Sequence, residues 1–139
     1  NVTITADKTL SEANFDEAEM LILPGGIPGT PNLRACDLLC EKLKEFAANG
    51  KKVAAVCAAP TVLGELGILA GKKATCYPSF ADKLATGDYV KQPVVTDGNV
   101  ITSRGMGTCI EFAGAIIEAL KDKATADAVK EAIIYNDVY

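Results

Sequence analysis

Cys57 stands at the end of the apolar run Val53-Ala54-Ala55-Val56 and is followed by Ala58-Ala59-Pro60. A thiol at a sharp strand-to-helix turn has the geometry of a nucleophile elbow, with the side chain at the sheet's end and beside the start of a helix. There the positive end of the helix dipole and unpaired N–H groups favour the thiolate. The same N–H groups can hold an oxyanion formed when sulfur attacks a carbonyl. Cysteine is also among the residue types most often simply buried, so residue type alone leaves a structural thiol open. A second apolar run, Met20 to Leu23, feeds Pro24-Gly25-Gly26-Ile27-Pro28-Gly29. Paired glycines let backbone N–H groups approach a ligand with no Cβ in the way, and they serve a tight turn equally well. The spacing is not G-x-G-x-x-G and no acidic partner stands at the usual distance, which argues against a dinucleotide site. A third run ends in Ser103-Arg104-Gly105-Met106-Gly107-Thr108, where Arg104 can clamp an anion or pair with a surface carboxylate.

Other groupings favour plainer roles. The chain has no histidine, so it cannot by itself supply a Ser-His or Cys-His dyad or a histidine metal site. Cys36 and Cys40 lie one helical turn apart, but two thiolates are too few for structural zinc, and Cys76 and Cys109 add no matching spacing. No metal or cofactor is expected, and the cysteines read as core thiols. Asp16, Glu17 and Glu19 read as a solvated turn, and Glu65 as a solvent-facing helix residue. An odd count of 5 cysteines without tight spacings is no disulfide framework and favours a reducing, cytoplasmic setting. Fourteen basic against 18 acidic residues give a net charge of −4, which speaks against nucleic acid as a partner. No apolar run is long enough to span a membrane.

The elements that must position these residues alternate along the chain. At 139 residues and 49% apolar content, a single packed domain over residues 1–139 is expected. Val2-Thr3-Ile4, Met20–Leu23, Val53–Cys57 and Lys73–Thr75 read as strands. Val94–Thr96 and Val100–Thr102 flank Asp97-Gly98-Asn99 as a β-hairpin. One helix is expected from about Asn32 to Ala48, ended by Asn49-Gly50, with others at Ala59–Leu66 and Thr125–Ile134 and a short turn at Ser79–Leu84. Pro60 fits a first helical turn. Thr108 and Glu111 have capping-box spacing ahead of an apolar run to Leu120. Continuous apolar strands between helices imply an α/β fold, a mostly parallel sheet covered on both faces. Ligands in such sheets bind beyond the carboxyl ends of the strands, where all three loops fall.

Taken together and in order, Leu23-Pro24-Gly25-Gly26, Val56-Cys57-Ala58-Ala59-Pro60, Asp97-Gly98 and Thr102-Ser103-Arg104-Gly105-Met106-Gly107-Thr108, with Glu111-Phe112 following, resemble the ThiJ/PfpI superfamily. Within it the resemblance is to the branch of the Parkinson-disease-associated protein deglycase. It implies a flavodoxin-like three-layer sandwich and a homodimer. It implies Cys57 as the reactive thiol, with an oxyanion site from the N–H groups of Gly26 and Ala58. The activities implied are glutathione-independent glyoxalase and protein deglycase, acting on a small 2-oxoaldehyde such as methylglyoxal or on glycated protein. The alternative implied role is oxidative-stress sensor or chaperone, with Cys57 oxidised rather than turning over.

The chain also departs from the pattern. Ala58 stands where the protease-like branch has histidine, which speaks against peptidase activity. Tyr77 precedes Pro78 where a histidine is common; its hydroxyl can donate a hydrogen bond, but a phenol is a poor base at neutral pH. Met106 replaces a proline. The chain starts at Asn1, after the β-α-β unit in which the family carries a glutamate near the cysteine. That unit, about 30 residues or more, is expected as a complementary segment or chain. Without it the strands around Cys57 are expected to be half exposed.

Overall fold

A computed structural model describes residues 2–135, so Asn1 and the last four residues lie outside the description. Four apolar runs build the main sheet: β1 (Met20–Leu23), β2 (Lys52–Val56), β5 (Val94–Asp97) and β6 (Val100–Ser103). Their order is β1-β2-β6-β5, with β1 and β6 parallel to β2 and only the β5–β6 hairpin antiparallel. The hairpin turns at Gly98, whose φ of +59° is the left-handed conformation that glycine takes without penalty. A separate pair, β3 (Lys73–Ala74) and β4 (Asp88–Tyr89), was not foreseen beyond its first member.

The helices are α1 (Gly29–Arg34), α2 (Asp37–Ala48), α3 (Pro60–Glu65), α4 (Cys109–Leu120) and α5 (Lys123–Ala132), with 3₁₀ turns at Leu10–Glu12, Pro78–Lys83 and Met106–Thr108. Alternation along β2 sends side chains to opposite faces. Val53 and Ala55 pack with Leu39, Leu43, Phe46 and Leu63 on one side; Ala54 and Val56 pack with Ile101 and Phe112 of β6 and α4 on the other. The result is the three-layer, flavodoxin-like α/β sandwich.

Several local expectations need correction. Val2 and Ile4 are 89% and 86% exposed and form no strand, because among the described residues no strand lies beside them to complete a ladder. The single helix expected over Asn32–Ala48 is two helices. Cys36 is extended (φ −89°, ψ 100°) and caps α2, and the break lets Leu39, Leu43 and Phe46 face the sheet. Thr108 makes no capping box with Glu111, since its hydroxyl accepts from the Gly105 N–H at 3.2 Å and lies 2.7 Å from Ser103 Oγ. The strands around Cys57 are not half exposed. β6 is wholly buried and β2 nearly so, because each has a neighbour on both sides. Exposure falls on edge strand β1, where Ile22 is 47% exposed.

Candidate functional site

Cys57 follows β2 directly and has φ +65°. That conformation costs a non-glycine residue about 1–2 kcal/mol, so surrounding contacts must enforce it. They do so through the backbone. The Cys57 N–H donates to the Ser103 carbonyl at 3.0 Å, and the Cys57 carbonyl accepts from the Tyr77 N–H at 2.8 Å. The ends of β2 and β6 and the chain after β3 therefore meet at this residue. Cys57 is a free thiol, half-buried at the sheet's end.

The proline-glycine loop closes on the same turn. Gly25 has φ +83°, and a Cβ there would stand 2.5 Å from the Val56 carbonyl oxygen and 3.0 Å from Cys57 Cβ. Only glycine lets the loop come this close. Gly26 (φ +86°) is exposed beside it, while Ala58 is buried. Among the described residues, neither the Gly26 nor the Ala58 N–H donates to a protein carbonyl. The Ala58 carbonyl is engaged, accepting from both the N–H and the hydroxyl of Thr61 at 3.1 and 2.7 Å. Two unengaged N–H groups beside a strained thiol can stabilise negative charge developing next to the sulfur.

Tyr77 is 48% exposed and its ring lies against Gly105, where an added Cβ would sit 3.5 Å from Cδ2. Its backbone thus anchors Cys57 while its ring borders the third loop. Arg104 is half-buried, with Nε buried and unpartnered. The structure gathers Gly26, Ala58 and Tyr77 around the turn of Cys57, and Arg104 follows β6 at the same end of the sheet.

Sequence reasoning missed Cys76. This fully buried residue precedes Tyr77, and burial pushes its thiol up to about 11, with the Arg104 guanidinium opposing the rise and charge on Cys57 adding to it. It missed Thr102 as well, whose hydroxyl accepts the Thr75 N–H at 2.9 Å and ties the Cys76–Tyr77 segment to β6. A threonine in an otherwise apolar buried strand was the available signal.

The other thiols scatter: Cys40 is buried, Cys36 half-buried and Cys109 exposed, so Cys109 is not the core thiol expected. Glu65 is about half exposed as expected, but it pairs with Arg34 at 2.9 Å rather than facing solvent alone. Asp16, Glu17 and Glu19 are exposed. Among the described residues no cluster of three or more His, Cys, Asp or Glu is placed to hold a metal, and no helix is long and apolar enough to cross a membrane.

Residues 1–119 match the model of the DJ-1/PfpI family. The chain is 40% identical over 136 residues to Protein DJ-1 homolog A of Arabidopsis thaliana, covering 96% of this chain but only 35% of that protein. It spans about a third of the length of that relative and of its Arabidopsis counterpart, homolog B (35% and 31%). It is 38% identical over 120 residues to the glutathione-independent glyoxalase DJR-1.2 of Caenorhabditis elegans, covering 85% of this chain and 63% of that one. Among solved structures, oxidized Toxoplasma gondii DJ-1 superposes with a TM-score of 0.89 at 34% identity, covering 97% of this chain and 74% of that one.

Proposed function

The chain belongs to the DJ-1/PfpI family, and from that premise we propose that it is a cysteine-dependent glyoxalase or protein deglycase working through Cys57. The observation that carries the reading is the left-handed backbone of Cys57 beside the unengaged N–H groups of Gly26 and Ala58. The relative named as a glutathione-independent glyoxalase supports the same chemistry.

In this mechanism the Cys57 sulfur attacks the aldehyde carbon of methylglyoxal and forms a hemithioacetal. The N–H groups of Gly26 and Ala58 hold the oxygen as it gains charge. A proton then moves from the former aldehyde carbon to the neighbouring carbon, giving the Cys57 thioester of a 2-hydroxy acid. Water hydrolyses the thioester, releasing lactate and restoring the thiol. On a glycated protein the sulfur attacks the hemiaminal or hemithioacetal carbon of the adduct, the C–N or C–S bond breaks, and the amine or thiol leaves with the Cys57 proton while the same hemithioacetal forms on Cys57. Tyr77 donates a hydrogen bond to a substrate oxygen, and Arg104 attracts the developing carboxylate. The proton-moving carboxylate is a glutamate on a complementary segment. The free edge of β1, with Ile22 exposed, supports a further strand there, from this polypeptide or another chain. The working assembly is a homodimer, as the family resemblance implies, and the 5 unpaired cysteines favour a reducing cytoplasm. Lactate formation from methylglyoxal, compared between the wild type and Cys57→Ala, tests the proposal: activity falls to background in the variant, and equal rates overturn it.

A second reading, a peroxide sensor or chaperone, is favoured by the partial exposure of Cys57 and makes the same N–H groups hold a sulfinate. Mass spectrometry after mild peroxide decides it: modification at another cysteine with Cys57 intact refutes it.

A further inference from the structure

A cavity of about 420 Å³ opens between α1, α3 and the turn Pro78–Lys83, and Cys57 is not part of its wall. Its volume falls in the range of small-molecule sites. Ile27, Pro31, Val62 and Phe80 supply apolar walls. Arg34, Glu65 and Lys83 supply the charges. Arg34 Nε and Glu65 Oε2 pair at 2.9 Å, and the Lys83 ammonium lies 5.3 Å from the centroid of the Phe80 ring. Two cations against one carboxylate leave one positive charge over an apolar floor. Thr30 also lines the cavity; it is 5% exposed and its hydroxyl has no partner. A buried hydroxyl without a partner is uncommon, and a ligand oxygen can satisfy it after rotation about χ1.

We propose that this cavity binds a small monoanionic amphipath: one carboxylate on an apolar body of a single ring or short chain. Arg34 Nη1 already lies 3.9 Å from Cys40 Sγ, so the carboxylate accepts from the guanidinium N–H groups that neither Glu65 nor Cys40 engages and from Lys83, while the apolar body displaces water from Val62, Pro31 and Phe80. The site is separate from the chemistry assigned to Cys57 and stands without it. It is nevertheless joined to that turn, because the Thr30 N–H donates to the Gly26 carbonyl at 2.7 Å and Thr61 bonds the Ala58 carbonyl.

Hydrocinnamate titrated into the full-length protein, followed through amide chemical shifts, is the test. Saturable shifts are expected at Ile27, Thr30, Val62 and Phe80, with hydrocinnamyl alcohol binding at least ~10-fold more weakly for want of the charge. The double variant Arg34→Gln, Lys83→Gln changes only exposed or half-exposed side chains and is expected to fold while losing about tenfold in affinity. Thr30→Val keeps the side chain's shape and weakens binding too. Shifts that fail to saturate at millimolar ligand, equal binding of the alcohol, or unchanged affinity in either variant overturns the assignment.

Discussion

Alanine at Gly25 and alanine at Gly26 form a matched pair that isolates the close approach behind the Cys57 turn. The two glycines have nearly equal left-handed φ values, +83° and +86°, so either substitution incurs the same backbone strain of about 1 kcal/mol. They differ in what a Cβ meets. At Gly26 nothing lies within 4 Å, whereas at Gly25 the Val56 carbonyl oxygen lies at 2.5 Å and Cys57 Cβ at 3.0 Å. Both distances fall well inside the optimum near ~3.5 Å. The Val56 carbonyl cannot simply swing away, because it accepts the Ala59 N–H at 3.2 Å. Relief must come from moving the elbow, an overpacking cost of about 1–3 kcal/mol on top of the strain. Gly26→Ala is therefore expected to cost about 1 kcal/mol and Gly25→Ala about 2–4. For a domain of this size these amount to falls in Tm of roughly 3–5 °C and 6–20 °C. Thermal denaturation by circular dichroism measures both, and the alkylation rate of Cys57 by iodoacetamide reads the turn directly. Equal small shifts in Tm with an unchanged alkylation rate in Gly25→Ala would refute the reasoning.

Three further outcomes are expected. Lys51 donates to the carbonyls of Phe15, Asp16 and Ala18 at 3.4, 3.1 and 3.0 Å and lies 4.7 Å over the Phe46 ring, so Lys51→Met should cost about 1–3 kcal/mol in urea denaturation, the segment before β1 loosening first in hydrogen exchange. Burial raises the Cys76 thiol from 9.0 to about 11 in the folded state, so its contribution is complete below the unfolded value and is lost as pH rises through that window; Cys76→Ala should flatten the alkaline fall in urea midpoint, and an unchanged slope would count against it. The hydrogen bonds from Thr125 hold the Asp122 carboxyl below its ordinary value, so its contribution is present above that value and disappears as pH falls through the folded one; Asp122→Ala should lower Tm at neutral pH but not in strong acid.

The strain at Cys57 is maintained by a division of labour among strand ends. Ser103, the last residue of β6, fixes the Cys57 N–H, and Tyr77, after β3, fixes its carbonyl. Each anchor is itself anchored. Ser103 Oγ donates to the Pro93 carbonyl at 2.9 Å and lies 2.7 Å from the Thr108 hydroxyl, while the chain leading to Tyr77 is tied by Thr75 to Thr102. A substitution such as Thr108→Val would thus act on Cys57 at one remove, through the position of Ser103. Thr108 is a positioning residue, and its spacing to Glu111 misled because its hydroxyl is occupied by the loop rather than by the helix it precedes.

That contrast shows which parts of the structure the sequence made legible. Short apolar runs stopped by Pro-Gly or Asp-Gly report an apolar strand and a forced turn, both local properties, so β1, β2, β5 and β6 could be read to within a residue or so. Pro60 reported the start of α3 for the same reason. The break at Cys36 was illegible because the apolar stripe of residues 33–47 runs unbroken through it; the interruption comes from how α2 must lie on the sheet. The edge position of β1 was illegible because strand order follows from pairing partners and not from strand composition. The candidate site combines both kinds of information. Its residue types, Cys57 between an apolar strand and Ala-Ala-Pro, were local and could be read. Its defining geometry was not, since cysteine has no preference for a φ of +65°. That angle exists only because Ser103 and Tyr77, 46 and 20 residues further along the chain, hold the turn from both sides, so changes at these remote anchors should alter Cys57 reactivity even where every residue of the elbow is intact.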